Sequence, residues 1–368
     1  MDIATLRGQV SDIDRRILEL VAERQGVVQA IGEAKDRSST DLRSFSQEKV
    51  VLDRARQEAS RLGISADLAV DLLRRLIRES LAQQERRRVE ARGSGTGQRA
   101  LVIGGAGQMG TWIARFLASQ GFGVEVADPN PPADDVPHLR DWQESSLDHE
   151  IIAVAANLRA TQEILSALAD RRPAGIVFDI GSLKTPLRTP LEDLAAAGVQ
   201  VASVHPMFGP DTELLSGRHV ILVDVGCPSA NDRVRSLFSS TMAEIVEMPL
   251  DEHDRLIAYV LGLSHALNIV FMTALAESGE SVPLLAQLSS TTFDRQLAVA
   301  ASVAHDNPHL YFEIQHLNEY GFESLRSLRQ AATRLEEVVH EGDEETFVGL
   351  MEKGRSYLAQ RDEGQGSS

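Results

Sequence analysis

The segment ALVIGGAGQMG, residues 100–110, constrains this chain more than any other. Four apolar residues run straight into glycines, and WIARFLAS then continues with helical spacing. In G-x-G-x-x-G between a strand and a helix, Gly105 is expected to permit the tight turn. Gly107 lets a pyrophosphate approach the backbone, and Gly110 allows close helix–strand packing. Gly104 does no more than ease the turn. The helix start, with Gln108 and Met109 in its first turn, offers N–H groups and a positive dipole end to phosphate. Asp128 closes the next apolar segment, GFGVEVADP, eighteen residues beyond Gly110. A carboxylate there accepts both ribose hydroxyls of NAD and repels a 2′-phosphate, so NAD is expected over NADP. A glycine turn that binds nothing is the plain alternative.

The pattern then repeats. EIIAVAA (150–156), GIVFDIGS (175–182) and VASVHPM (201–207) are apolar strands followed by polar loops, with helical segments between them. Such alternation predicts a doubly wound, Rossmann-type α/β domain over 99–250, preceded by a glycine- and serine-containing linker at 91–98. Ligands of such sheets sit beyond the C-terminal ends of the strands, where DIGSLK and HPMFGPD fall. His205, held at a strand end before Pro206, is either a proton acceptor for a substrate hydroxyl or a structural histidine bonded to backbone. Ser182 and Lys184 either position ligand or serve as a turn hydroxyl and a solvated lysine. Arg218, before the strand HVILVDV, is either a carboxylate clamp or a surface arginine. From Asp251 the pattern is helical, giving a second lobe over 251–360 and a frayed tail over 361–368. In that lobe His265, within GLSHALN, suits a cleft group or a satisfied core histidine.

The first ninety residues carry no such alternation. Leu6, Val10, Ile13, Ile17, Leu20, Val21, Val27, Val28 and Ile31 recur at three-to-four spacing, which predicts one helix over 3–36. At 1.5 Å per residue it is roughly 50 Å long, too long for one small domain to cover. Two further helices, 45–61 and 66–90, complete an all-α domain over 1–90. Their apolar stripes predict an intertwined homodimer. The plain alternative is a dimerisation arm without chemistry.

Composition narrows the setting. Formal net charge is −17, yet residues 1–92 carry 18 basic against 16 acidic groups, leaving −19 for the remainder. That acidic bulk argues against nucleic acid as a partner, while an anionic small substrate needs only local arginines. A single cysteine, Cys227, rules out a disulfide framework, and the ten histidines show no metal-ligand spacing. Without a basic, apolar leader or a run of about 18 apolar residues, the expectation is a cytoplasmic protein with no membrane partner and no metal.

Taken together, GGAGQMG, DIGSLK and HPMFGPD, in that order behind the helical domain, resemble the bifunctional chorismate mutase–prephenate dehydrogenases of tyrosine biosynthesis over nearly the whole chain. The resemblance implies a mutase site in which Arg7, reaching into the partner's site, and Arg24 grip the carboxylates of chorismate. Lys35 and Gln84 stabilise charge on the ether oxygen, Glu48 orients the ring hydroxyl, and Ser80 faces the same pocket. It implies that His205 hydrogen-bonds the ring hydroxyl of prephenate while hydride passes to NAD and carbon dioxide leaves, with Ser182 near substrate. Helix geometry is compatible. Arg24 and Lys35 share a face, Arg7 lies about 100° off it, and Ser80 and Gln84 are an i,i+4 pair.

Two positions depart from the family. Gln47 stands where an arginine usually precedes the glutamate, and Ser302 stands where an arginine holds the ring carboxylate. Arg295, two helical turns upstream of Ser302, is the candidate substitute. These departures leave room for arogenate or an amino-substituted prephenate as substrate, or for a non-catalytic NAD-binding regulatory dimer. Retention of Arg7, Arg24, Lys35, Ser80 and Gln84 counts against the last.

Overall fold

The computed structural model describes residues 2–38 and 42–365. The chain divides into two compact units, residues 1–250 and 251–368.

The first unit opens with three helices, α1 (Ile3–Arg37), α2 (Phe45–Leu62) and α3 (Ala66–Arg92). Asp2, Ser44 and Ser65 cap their N-termini, each accepting a backbone N–H from the first turn. Gly63, at φ 69°, ends α2 in the left-handed conformation that glycine adopts without strain. α3 packs on both α1 and α2. Much of the apolar stripe of α1 is left uncovered by the described residues: Leu6, Val10, Ile13, Ile17 and Leu20 are all exposed.

A sheet of eight strands follows, interleaved with helices α4–α7. In chain order these are β1 (Arg99–Ile103), α4 (Gln108–Ser119), β2 (Gly123–Ala127), β3 (His138–Leu139), β4 (Ile151–Val154), α5 (Leu158–Arg171) and β5 (Ile176–Asp179). Then come α6 (Arg188–Ala196), β6 (Val201–Pro206), β7 (His219–Asp224), α7 (Pro228–Phe238) and β8 (Glu244–Pro249). The strand order is 3-2-1-4-5-6-7-8, parallel except where β7 meets β6. β1, β4 and β5 are buried on both faces and read as continuous apolar runs, as a covered parallel sheet requires. The reversal of order beside β1 makes the switch point at which this fold class binds ligands. β8 was not legible in the sequence: EIVEMP is half exposed at the sheet edge and lacks a buried apolar run.

The second unit is helical throughout. α8 (Leu250–Ile257), a π-helical stretch (Ala258–Leu263) and α9 (Ser264–Glu277) run on as one helix of 28 residues. Its length, and a mean hydropathy of 1.7 over its most apolar 18 residues, would allow it to cross a bilayer. This corrects the expectation that no segment is apolar enough, which was drawn from unbroken runs rather than from window averages. Only 28% of that apolar window is buried within the chain, and Leu267, Ile269 and Val270 stand exposed, while its other side packs on neighbouring helices. α11 (Thr291–Ala304) and α13 (Gly321–Glu341) lie against it, and its buried Asn268 accepts from the Gln296 side chain at 3.0 Å. α10 (Val282–Gln287), α12 (Pro308–His316) and α14 (Glu344–Gln365) complete the unit. α14 continues through most of the tail expected to fray, and only 366–368 lie outside the described residues.

Candidate active sites

The residues singled out in the nucleotide-binding domain lie at the C-terminal ends of parallel strands or, for Arg218, just before antiparallel β7 beside the end of β6, hence along one edge of the sheet. The turn after β1 shows why glycines stand there. Gly104 has φ +83°, and a Cβ on it would come within 2.8 Å of the Ala155 backbone. The tight-turn role therefore belongs to Gly104, not to Gly105 as expected. Gly105 is instead required by packing, since a Cβ would lie 2.7 Å from Val126 Cγ1. Gly110 fulfils its expected role: a Cβ would stand 2.1 Å from the Gly104 carbonyl oxygen. Gly107 is the N-cap of α4 with no side-chain cap, so the backbone at Gln108 and Met109 opens toward the cleft as an anion site.

Asp128 follows β2 and is placed by local bonds. Its Oδ2 accepts from Ala106 N at 3.2 Å and its Oδ1 from Asn130 N at 2.9 Å. A cleft of about 660 Å³ runs from Gly104 and Gly107 past Asp128 to Arg140 and Trp142. The last two were missed from sequence, because they follow an irregular loop with no periodic signal. A cradle that any Cβ would fill, a helix N-terminus and an acid at the ribose end together fit a dinucleotide.

Further along the edge, β5 ends at Asp179 and β6 carries His205. Lys184 is wholly buried, and its Nζ donates to Asp179 Oδ2 at 2.6 Å and to the Val204 carbonyl at 2.7 Å. This overturns the solvated-lysine reading. Ser203 Oγ donates to the other Asp179 oxygen at 2.6 Å. The cluster ties the loop after β5 to the residues just before His205, itself 3 % exposed. His205 is thus fixed on a rigid strand through a satisfied polar network. Ser182 is half-buried on the same loop.

In the helical domain a cavity between α1 and α3 is lined by Gln25, Val28, Gly32, Ser80 and Gln84. Arg24 Nη1 donates to Ser80 Oγ at 3.1 Å, and Ser80 Oγ donates to Gln25 Oε1 at 2.6 Å. Gln84 Nε2 donates to the Val28 carbonyl at 2.8 Å. Lys35, on the same face of α1, donates to the Leu42 carbonyl at 2.7 Å, and Leu42 lines the cavity. Gly32 is a functional residue that sequence reasoning missed. A Cβ there would lie 2.8 Å from Gln84 Cγ, so glycine in mid-helix, normally about 1 kcal/mol worse than alanine, is what lets Gln84 cross α1.

Three expected residues are not brought to these two clefts. Arg7 is exposed near the start of α1. Glu48 accepts both guanidinium donors of Arg43, at 2.8 and 3.0 Å, and with Arg218 lines a separate pocket rather than the Ser80–Gln84 cavity. α2 presents Glu48 to the far side of α3, which carries Leu81 and Arg78 there while Ser80 and Gln84 face α1.

The C-terminal unit holds His265 and Arg295. The His265 ring packs edge-on against Tyr311, whose hydroxyl donates to Asp306 Oδ2 at 3.0 Å. Burial, reinforced by Asp306, pushes Tyr311 up to about 12. Burial also lowers His265, so its imidazole is neutral at neutral pH. Arg295 and Ser302 both lie on α11 and both are exposed.

Comparison with known proteins agrees with this layout. Residues 6–85 match the family described as chorismate mutase type II. Residues 135–247 match the nucleotide-binding domain of prephenate dehydrogenase, and 249–353 its dimerization domain. The T-protein of Enterobacter agglomerans is 26% identical over 94% of this chain and 90% of its own. The 4-amino-4-deoxyprephenate dehydrogenase of Streptomyces pristinaespiralis is 29% identical over 73% of this chain and 94% of its own. The crystal structure of prephenate dehydrogenase from A. aeolicus, in complex with hydroxyphenyl propionate and NAD+, superposes with a TM-score of 0.56. It is 19% identical and covers 73% of this chain and 99% of that one, a likeness of fold.

The domains define an NAD-dependent dehydrogenase joined to an all-α mutase. The chain belongs to the bifunctional chorismate mutase/prephenate dehydrogenases of tyrosine biosynthesis.

Proposed function

We propose the residues that carry the two activities and the assembly in which they work. In the dehydrogenase half, the turn at Gly104–Gly110 and Asp128 would hold NAD, which supplies the acceptor for a hydride. His205 accepts the hydrogen bond of the ring hydroxyl of prephenate and takes its proton as the ring carboxylate leaves as carbon dioxide. Because aromatisation favours the products, the protein's task is to orient and polarise, which a histidine on a braced strand does well. Ser182 lies on the loop that Lys184 clamps to the same strand. Arg295 lies on α11 with Ser302, and it is the cation that would stand in for an arginine at position 302.

In the mutase half the rearrangement is pericyclic and needs no nucleophile. Holding chorismate in its reactive conformer while Lys35 and Gln84 stabilise negative charge on the ether oxygen is sufficient. Arg24 and Ser80 bind a carboxylate at the same cavity, and Arg7 completes the site of a second copy. The unpartnered apolar stripe of α1 supports a homodimer, as does the exposed apolar face of α9. A cytoplasmic location fits these small, anionic substrates.

The observation that carries this reading is the coexistence in one chain of the Ser80–Gln84 cavity, with Arg24 bonded to Ser80, and of a braced His205 on the same sheet edge as a dinucleotide cradle. The test supplies chorismate and NAD+ to the purified chain and follows NADH and 4-hydroxyphenylpyruvate. Both are expected to form. Prephenate accumulating without NADH would overturn the dehydrogenase substrate. Parallel turnover with arogenate and with 4-amino-4-deoxyprephenate decides whether the Streptomyces relative and the loss of arginine at 302 mark a different ring substituent.

A further inference from the structure

On the side of α3 away from the Ser80–Gln84 cavity, a second pocket of about 290 Å³ lies where the helical domain meets the nucleotide-binding domain. Its charged groups are Arg43, Arg74, Arg78, Arg218 and a single acid, Glu48. Its floor is apolar, formed by Leu52, Ile77, Leu81 and Leu214. Four guanidinium groups around one carboxylate stand out in a chain of net charge −17. Glu48 is taken up by Arg43, and Arg74 has Asp71 at 3.4 Å on its own helix. Arg78 and Arg218 make no ion pair among the described residues.

Two clamps hold the pocket's far wall. Arg43 Nη1 donates to Ser216 Oγ at 2.8 Å. One turn beyond Leu81, the buried carboxylate of Glu85 accepts the backbone N–H of Leu215 at 2.7 Å and that of Met242. Burial holds Glu85 above the usual carboxylate range against the opposing pull of those two bonds. A loop anchored at 215 and 216 holds the backbone that carries Arg218 beside α3 before any ligand arrives.

We propose that this junction pocket binds a small dicarboxylate with a hydrocarbon body. Guanidinium forks match carboxylates bidentately, and an apolar floor suits a ring or chain between them. Neither feature depends on the assigned chemistry. Only the question of source rests on the mutase–dehydrogenase reading, because the mutase product is itself such a dianion. The source is therefore either that product in passage or a free carboxylate acting as effector.

Calorimetric titration of the full-length protein with phthalate tests the pocket. Arg74→Glu/Arg78→Glu is expected to weaken binding at least tenfold, and the milder Arg74→Gln/Arg78→Gln several-fold. Mutase turnover should be unchanged in both, which also shows that they fold. Arg56→Glu/Arg61→Glu, the same charge change on exposed α2 positions, should leave the affinity within twofold. Phthalate binding that ignores the pocket variants, or falls equally in the control, overturns the proposal. A stopped-flow run with chorismate and NAD+ then assigns the source. A longer lag before NADH in the pocket variants identifies the mutase product. An unchanged lag, with phthalate shifting the dehydrogenase KM in wild type only, identifies an effector.

Discussion

The two halves of the first unit bury their apolar residues in opposite ways. Around the sheet, Leu101, Val102, Ile152, Val154, Val177 and Val204 are completely covered by the chain's own helices. Along α1, Leu6, Val10, Ile13, Ile17 and Leu20 stand exposed at helical spacing. A sheet closed within one chain can brace a buried histidine unaided, and the Asp179–Lys184–Ser203 cluster does so for His205, the proton acceptor proposed above. In a helix of 35 residues whose side-chain bonds to α3 begin at Arg24, Arg7 makes no ion pair among the described residues and is exposed. The dehydrogenase cradle is thus built within one chain, whereas the mutase site proposed above calls on a second copy to cover α1.

The comparison breaks first if the two chemistries cannot be separated. His205→Asn is expected to lower dehydrogenase kcat by about 10²–10⁴, the usual worth of a positioned proton acceptor, with mutase turnover near wild type. Lys35→Ala should do the converse. Parallel loss of both activities in either variant, with the fold intact by circular dichroism, would mean that the sites are not independent.

How much of this was legible in the sequence follows the same divide. Helix ends, the alternation of strands with helices and the place of the glycine turn were readable because a helix face has a 3.6-residue period, because a covered strand is a short apolar run, and because glycine marks backbone constraint. What stayed hidden depends on partners distant in sequence. Lys184 reads as a surface lysine until Val204, twenty residues on, is seen to accept from it. Glu48 reads as a mutase acid until Arg43 and Ser216, 173 residues apart, close around it. Gly104 and Gly105 exchange roles because φ, not spacing, decides which one turns the chain. Gly32 gave no signal at all, since its purpose is a side chain on α3.

A second and smaller effect sharpens the claim about assembly. Each exposed residue on the α1 stripe already hides part of its surface, so covering the rest is worth about 1 kcal/mol per side chain. Ile13→Asp/Ile17→Asp would also bury two charges in any helical interface. Mutase activity is expected to fall at least tenfold and to recover partly at high protein concentration, by mass action on the weakened dimer. Prephenate oxidation at low concentration should hold within about twofold, because its cradle needs no second α1. A concentration-independent mutase in this variant would remove the shared site and leave Arg7 without a role.

The smallest expected effect lies inside the self-sufficient half. Asp128 sits where the adenosine ribose is expected, and its two oxygens already accept from Ala106 and Asn130 backbone N–H groups. Such an acid discriminates in two ways. It accepts the ribose hydroxyls of NAD+, and it repels a 2′-phosphate across a cleft that also contains Arg140. Removing it leaves Arg140 as a cation lining the cleft with one acid fewer to oppose it. Asp128→Ala should therefore raise KM for NAD+ several-fold and improve kcat/KM for NADP+, narrowing the preference without abolishing turnover. kcat with saturating NAD+ should hold, since the contact is equally present in ground and transition states. An unchanged ratio of kcat/KM for the two cofactors would place the ribose elsewhere along the cleft. A collapse of kcat would instead show that Asp128 is needed to hold the Gly104–Gly107 turn through Ala106, a structural duty that Asp128→Asn would preserve in part.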